Sequence, residues 1–185
     1  MIWWVRHGES TWNAAGLHQG SNRLPPLTAR GGRQAEEAGR FLADQGVEEL
    51  WSSPAVRALQ TAAVIGRWCG VAVAVEPALI ECDRDEALST VASRLREIVQ
   101  QHGSSDRVVV AVSHGETIRA AAQSLGGRSI QLPPNGAVLP PGRQEVTGAH
   151  RWPGPASALV CDTLEGQHVA GAGAWRAEEA RWTAT

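Results

Sequence analysis

Four short apolar runs lead, each across a connecting loop or turn, into segments with helical periodicity, and this alternation restricts the fold more than any other feature. "MIWWV" (1–5) is rich in strand formers and suits a strand buried on both faces. Beyond a Pro-rich loop, Thr28 is placed to cap a helix running to about Gln45, with Ala35, Ala38, Phe41 and Leu42 on one face. "ELWSS" (49–53) predicts a second strand. Pro54 then suits the first turn of a helix that carries Val56, Leu59, Ala63 and Ile65 and stops near Gly70. "VAVAV" (71–75) is a third strand, and Leu88, Val91, Leu95, Ile98 and Val99 make 86–102 a helix. "RVVVAVS" (107–113) is the clearest buried strand, and "HGETIRAAAQSLGG" after it is a helix ended by glycines. Strands alternating with helices predict an α/β fold of three layers, a mostly parallel sheet with helices on both faces.

Length and composition narrow the classes further. A chain of 185 residues predicts one domain, residues 1–185, with its core in 1–132 and an irregular Pro-, Gly- and Trp-rich part in 133–185, where "SALVCDT" could form an edge strand. A formal net charge of −2 gives no general affinity for nucleic acid. All 17 basic residues are Arg, so chemistry that needs Lys (a Schiff base, a Walker P-loop) is excluded. Cys69, Cys82 and Cys161 lack CxxC spacing, which favours reduced thiols over disulfides or a zinc site. No apolar run approaches membrane-spanning length, and Arg6 interrupts the N-terminus too early for a signal peptide. A cytoplasmic protein without a membrane partner is expected.

"VRHGESTWN" (5–13) places Arg, His and Gly where the first strand meets its loop. A satisfied surface histidine, a metal ligand and a phosphate pocket are all readings of that stretch alone. Ligands of open α/β sheets bind beyond the carboxyl ends of the strands, at helix N-termini. Two segments put histidine there, Arg6-His7-Gly8 and Ser113-His114-Gly115, and Arg57 lies one turn into the helix after "SSP". Two histidines and two arginines converging on one position describe an anion site with a candidate nucleophile. The metal reading weakens, because the arginines repel a cation and no carboxylate stands at ligand spacing.

"RHGESTWN" (6–13), "HQG" (18–20), "PLT" (26–28) with "RGGRQAEEAG", "SSPAVRALQTA" (52–62), "LIE" (79–81) and "VSHGETIR" (112–119) occur in that order over about the first two thirds of the chain. In these pieces the chain resembles the histidine phosphatase (phosphoglycerate mutase-like) superfamily. The resemblance implies the phosphoglycerate mutase-like fold and a phosphohistidine on His7, with neither metal nor cofactor. His7 must be neutral to attack, and Arg6 and Arg57 would lower its pKa by like-charge repulsion. It further implies that Arg6 and Arg57 clamp the phosphoryl oxygens, that His114 and the N–H of Gly115 donate to them, and that Asn13 is another phosphate ligand. Gln19 and Gly20 fall among the expected substrate contacts. Glu81 matches the family's proton donor, which needs a partly buried carboxyl group, with Asp83, Asp85 and Glu86 as alternatives in the same stretch.

Two departures bear on substrate. Glu81 is followed almost at once by a helical segment, so the long lid of many members is missing or minimal. Arg23 and an extra proline stand in "SNRLPPLT", where the family often has Asp. An open site favours hydrolysis over mutase chemistry, which must shield its intermediate from water. The expected activity is therefore a metal-independent phosphomonoesterase acting on a small phosphorylated metabolite. A phosphoglycerate-type mutase, a phosphoprotein phosphatase and a non-catalytic phospholigand-binding module are the alternatives. His150 and His168 are expected to be incidental, and a homodimer is left open.

Overall fold

A computed structural model describes residues 1–83, 85–102, 107–126 and 129–141, all within the unit Met1–Glu145; the second unit, Val146–Thr185, lies outside the described residues. The elements are β1 (Ile2–Arg6), α1 (Thr11–Ala14), α2 (Ala29–Ala43), β2 (Glu49–Ser52), α3 (Val56–Cys69), β3 (Val73–Val75), a 3₁₀ turn (Pro77–Leu79), α4 (Leu88–His102), β4 (Val109–Ser113), α5 (Gly115–Gly126) and β5 (Val138–Leu139). The strands form one sheet in the order β3-β2-β4-β1-β5, parallel except for β5, which runs antiparallel to β1.

Alternation along the strands divides the core into two layers, because successive side chains leave opposite faces of a sheet. Val110 and Val112 of β4 join Val5, Leu50 and the apolar side of α2 and α3; Val109 and Ala111 join Ile2, Trp51 and the apolar side of α4 and α5. All five residues of β4 are buried, as befits the central strand. The three-layer arrangement expected from the sequence is present. β1 is less enclosed: Trp3 and Trp4 are half-buried, one on each face.

Several details differ from the sequence reading. Pro54 lies outside α3, which starts at Val56 with Ala55 as its N-cap residue. The buried side of α3 comprises Arg57, Ala58, Thr61, Ala62, Ile65 and Gly66, leaving Val56, Leu59 and Ala63 only partly covered. Burying an arginine turned that face away from its most apolar positions. Phe41 is 44% exposed, yet its ring meets Trp3 edge-on at 5.7 Å between centroids. Thr28 does cap α2, accepting from the N–H of Gly31. α1, the 3₁₀ turn and β5 were not expected, being too short to show periodicity. "SALVCDT", Cys161, His150 and His168 lie outside the described residues.

β1 and β4 pair in register with Arg6 opposite Ser113, and the N–H of His7 donates to Ser113 O at 3.0 Å. The chain leaves β1 towards the α2–α3 layer and leaves β4 into α5 on the opposite face. A crevice therefore opens between the two strand ends, the place where such sheets bind ligands. The loop after β1 is pinned to α2 by backbone approach: a methyl group at Gly8 would strike the carbonyl of Gly31, and one at Gly31 the carbonyl of Glu9. Gln34 accepts from the N–H of Glu9 at 2.8 Å, and Thr61 accepts from that of Gly8 at 3.1 Å. Gly31→Ala, placed on backbone that cannot yield cheaply, should cost about 1–3 kcal/mol of unfolding free energy in urea. Wild-type stability in that variant would contradict the contact.

Candidate active site

His7 extends β1 by one residue and is buried, as is His114 one residue beyond β4. Their rings meet at 5.1 Å between centroids with a 62° interplanar angle. Nδ1 of His7 lies 2.7 Å from the carbonyl oxygen of Gly8 and so carries the proton. Nε2 accepts from Nε of Arg57 at 3.2 Å, which leaves its lone pair directed at the guanidinium and the pocket. A second nitrogen of Arg57 lies 3.2 Å from Nδ1 of His114, whose Nε2 lies 2.7 Å from Oγ of Ser53. An acceptor at Nδ1 places the His114 proton on Nε2, donating to Ser53.

Burial is the main reason that His7 stays neutral. It pushes the pKa down to about 3; the hydrogen bond to Gly8 opposes this, and Arg57 and Arg6 contribute smaller repulsions. The like-charge repulsion expected from the sequence is thus real but secondary. Burial likewise leads for His114, holding it well below its ordinary value, followed by His7, Arg57 and Arg6.

Arg57 is 1% exposed, and burial lowers its pKa to about 10. Besides the two rings it donates to Asn22 O at 2.6 Å and Gly20 O at 3.2 Å. Arg6 donates to Pro133 O at 2.5 Å, and its buried Nε has no partner among the described residues. Its guanidinium packs closely against the first residue of α5: a Cβ on Gly115 would meet Cζ of Arg6 at 3.3 Å, tight enough that the side chain would have to shift. Neither arginine forms an ion pair among the described residues. Two partly or wholly buried guanidinium groups around a pocket of about 190 Å³ suit it chemically to an anion.

Asn13 and Gln19 also line this pocket. Asn13 Oδ1 accepts from the N–H of Ser10 at 3.1 Å and from Asn135 Nδ2 at 3.1 Å, with Ser10 Oγ at 3.0 Å. Ser10 Oγ also lies 2.7 Å from Gln19 Oε1. With both amide oxygens engaged inside the fold, the amide nitrogens remain as donors for a ligand. Gly20 and Gly115, also expected from the sequence as ligand contacts, line the same pocket.

Glu81 stands at the start of α5, half-buried, and is the only one of the four candidate acids that lines the pocket. Its Oε1 accepts from the N–H groups of Cys82 and Thr117, each at 3.0 Å, and lies 2.9 Å from Thr117 Oγ1. Among the described residues Oε2 receives only the N–H of Glu116 at 3.3 Å, which leaves room on this oxygen for a proton. The other acids have different tasks. Asp83 accepts from the N–H of Ser21, and Glu86 pairs with Arg94 at 3.2 Å. Asp85 is exposed.

The sequence reading missed Ser53, Thr61, Thr117 and Asn135. The first three lie within quoted motifs, but a hydroxyl's partner depends on tertiary placement. Asn135 comes from the Pro- and Gly-rich segment, where only "PPNG" signalled a turn. Among the described residues no three His, Cys, Asp or Glu side chains group to hold a metal ion, and no helix is long and apolar enough to cross a membrane.

Residues 2–90 match the family model of the histidine phosphatase superfamily (branch 1), which bears out the resemblance. A probable phosphoglycerate mutase GpmB of Yersinia enterocolitica is 40% identical over 80 residues, covering 43% of this chain and 37% of that protein. The protein of the same name from Erwinia tasmaniensis is 29% identical over 145 residues, covering 75% of this chain and 66% of its own. The chain thus spans between about a third and two thirds of these relatives' length. Among solved structures, a mycobacterial glucosyl-3-phosphoglycerate phosphatase complexed with VO3 has a TM-score of 0.66 at 23% identity, covering 74% of this chain and 88% of that one. A mutant phosphoserine phosphatase of Entamoeba histolytica, in complex with phosphoserine, has a TM-score of 0.63 at 21% identity, covering 74% and 87%. The fold is phosphoglycerate mutase-like.

Burying neutral histidine has a pH signature. The unfolded chain binds a proton near pH 6.5, whereas folded His7 does so only near 3. Its contribution to stability is therefore complete above pH 6.5 and is lost as pH falls from there towards 3, by about 2 kcal/mol at pH 5. The thermal midpoint should drop between pH 7 and 5, and drop less in His7→Gln. An identical slope in both proteins would remove His7 as its source.

Proposed function

We propose that this chain, matched over residues 2–90 by the histidine phosphatase superfamily, is a phosphomonoesterase that works through a phosphohistidine on His7 and acts on a small phosphorylated metabolite. One observation carries the reading. His7 is neutral, its Nδ1 proton is fixed on Gly8 O, and its Nε2 lone pair faces a pocket held by two guanidinium groups that have no ion-pair partner among the described residues. A binding module needs the arginines but has no use for an oriented, unprotonated nitrogen.

In the first step the phosphoryl group displaces Arg57 from Nε2 of His7, and Arg57 turns its donors to the phosphoryl oxygens. Nε2 attacks phosphorus as the ester P–O bond breaks, and Glu81 gives the leaving alkoxide its proton. Arg6 and Arg57, with the amide nitrogens of Asn13 and Gln19, hold the oxygens as charge shifts among them. His114, released from Arg57, can take its proton on Nδ1 while the Ser53 hydroxyl donates to Nε2, and so donate as well. Water then attacks the phosphohistidine, Glu81 recovers the proton, and phosphate departs from restored His7. No step uses a metal.

Hydrolysis rather than transfer is supported by the connection after Glu81, since α4 begins at Leu88 and leaves few residues for a lid. The names of the curated relatives favour a mutase as the second reading. Free Cys69 and Cys82 accord with a cytoplasmic location.

Hydrolysis of 4-nitrophenyl phosphate should survive EDTA, and His7→Ala should abolish it while vanadate still binds. Turnover beyond a trace in that variant, or loss that added metal restores, would overturn the mechanism. Glu81→Gln should slow an alkyl phosphate about 10²–10⁴-fold and 4-nitrophenyl phosphate far less, because nitrophenolate leaves without a proton. Equal slowing of the two would make Glu81 a positioning residue. Incubation with phosphoglycerates should yield little isomer by NMR.

A further inference from the structure

One turn, beyond the 2–90 stretch that the family model matches, touches three residues of the site. The carbonyl of Pro133 accepts from the guanidinium of Arg6, and the N–H of Gly136 meets the carbonyl oxygens of Arg6 and His7 at 3.2 and 3.1 Å. Nδ2 of Asn135 donates to His7 O at 3.3 Å and to Asn13 Oδ1 at 3.1 Å. The turn closes on itself where the N–H of Ala137 donates to Pro134 O at 3.1 Å, and Gly136 takes a φ of +76°, which favours glycine. Asn13 lines the pocket and Asn135 does not, so Asn135 can act on a ligand only through its neighbours.

The orientation of both amides follows from atoms whose roles are fixed. The backbone N–H of Ser10 only donates, so the Asn13 atom 3.1 Å from it is the oxygen. The carbonyl of His7 only accepts, so the Asn135 atom beside it is the nitrogen. The Ser10 hydroxyl has one proton for two acceptors, and Gln19 Oε1 at 2.7 Å is nearer than Asn13 Oδ1 at 3.0 Å. With that proton given to Gln19, Asn13 Oδ1 faces an oxygen of Ser10, and the amide of Asn135 is the donor that offsets the repulsion. Turned over, the Asn13 amide would set its own nitrogen against two N–H donors and its oxygen towards the pocket.

We propose that Asn135 is a positioning residue: it fixes which end of the Asn13 amide faces the pocket, and so keeps a donor rather than an acceptor against the bound phosphoryl group. The proposal rests on the phosphatase reading and adds to it the residue that sets one of its ligands.

Vanadate affinity of the full chain, measured by calorimetry, tests this through a double-mutant cycle. Asn135→Leu, which removes the donor without adding charge, should weaken vanadate about fivefold, and Asn13→Ala about tenfold. Once Asn13 is replaced by alanine, Asn135→Leu should cost less than about a further twofold. Effects that multiply would overturn the proposal, since Asn135 would then act through His7 or through the fold. ¹⁵N NMR gives a second readout that does not depend on Asn135→Leu folding. In wild type, the side-chain amide signal that Asn13→Ala removes should shift at saturating vanadate. In Asn135→Asp, an isosteric change that offers Asn13 an acceptor in place of the donor, that signal should stay where it is. A shift as large as in wild type also overturns the proposal. Vanadate bound without hydrolysis of 4-nitrophenyl phosphate would remove the phosphatase reading and leave the cycle to decide the role of Asn135; wild type that binds no vanadate would overturn both.

Discussion

Arg57 holds the site together. Its guanidinium reaches both histidine rings and the carbonyl oxygens of Gly20 and Asn22, joining α3 to the loops after β1 and β4 and to the loop ahead of α2. Burying a cation without a directly paired carboxylate is costly, and here neutral acceptors in contact with it meet the cost, with the Glu81 carboxylate attracting it from a longer distance. An ion pair would have been the cheaper solution, but it would have neutralised the charge that an anion needs to find. The two imidazoles serve the same end. Kept unprotonated by burial, they accept from the guanidinium instead of competing with it.

The histidines, the arginines and the fold class were legible because each is tied to a local pattern. A buried central strand such as Val109–Ser113 announces itself as an unbroken apolar run, and the residue after it is placed at the sheet's carboxyl edge by topology alone. The face of α3 was not legible in the same way. Periodicity weighs apolar side chains and therefore missed a helix that buries Arg57 and Thr61 next to Ala58 and Ala62. The site, not the core, sets the rotation of that helix.

Side-chain hydrogen bonds were hidden for another reason. Ser53 reaches His114 because the N–H of Ser53 is itself held by Val112 O across the sheet, a relation between residues far apart in sequence. Asn135 reaches Asn13 because the turn before β5 folds back onto the end of β1, where the N–H of Gly136 meets the carbonyl groups of Arg6 and His7. No window of sequence contains both partners. Glu81 falls between the two cases: its motif located it, but the backbone donors at the start of α5 that fix its carboxylate came only with the fold.

The strand order has a consequence for how the chain is made. β1 is synthesised before both of the strands it pairs with, β4, which begins at Val109, and β5, at Val138 and Leu139. At about 5–20 residues per second, the apolar "IWWV" stretch stays unpaired on both edges for several seconds while the intervening chain is synthesised. Such an edge is a template for mispairing with other nascent chains. A strand made before its partners is thus among the last to be enclosed, and His7, which follows it, acquires its surroundings only when the chain comes back to cover it.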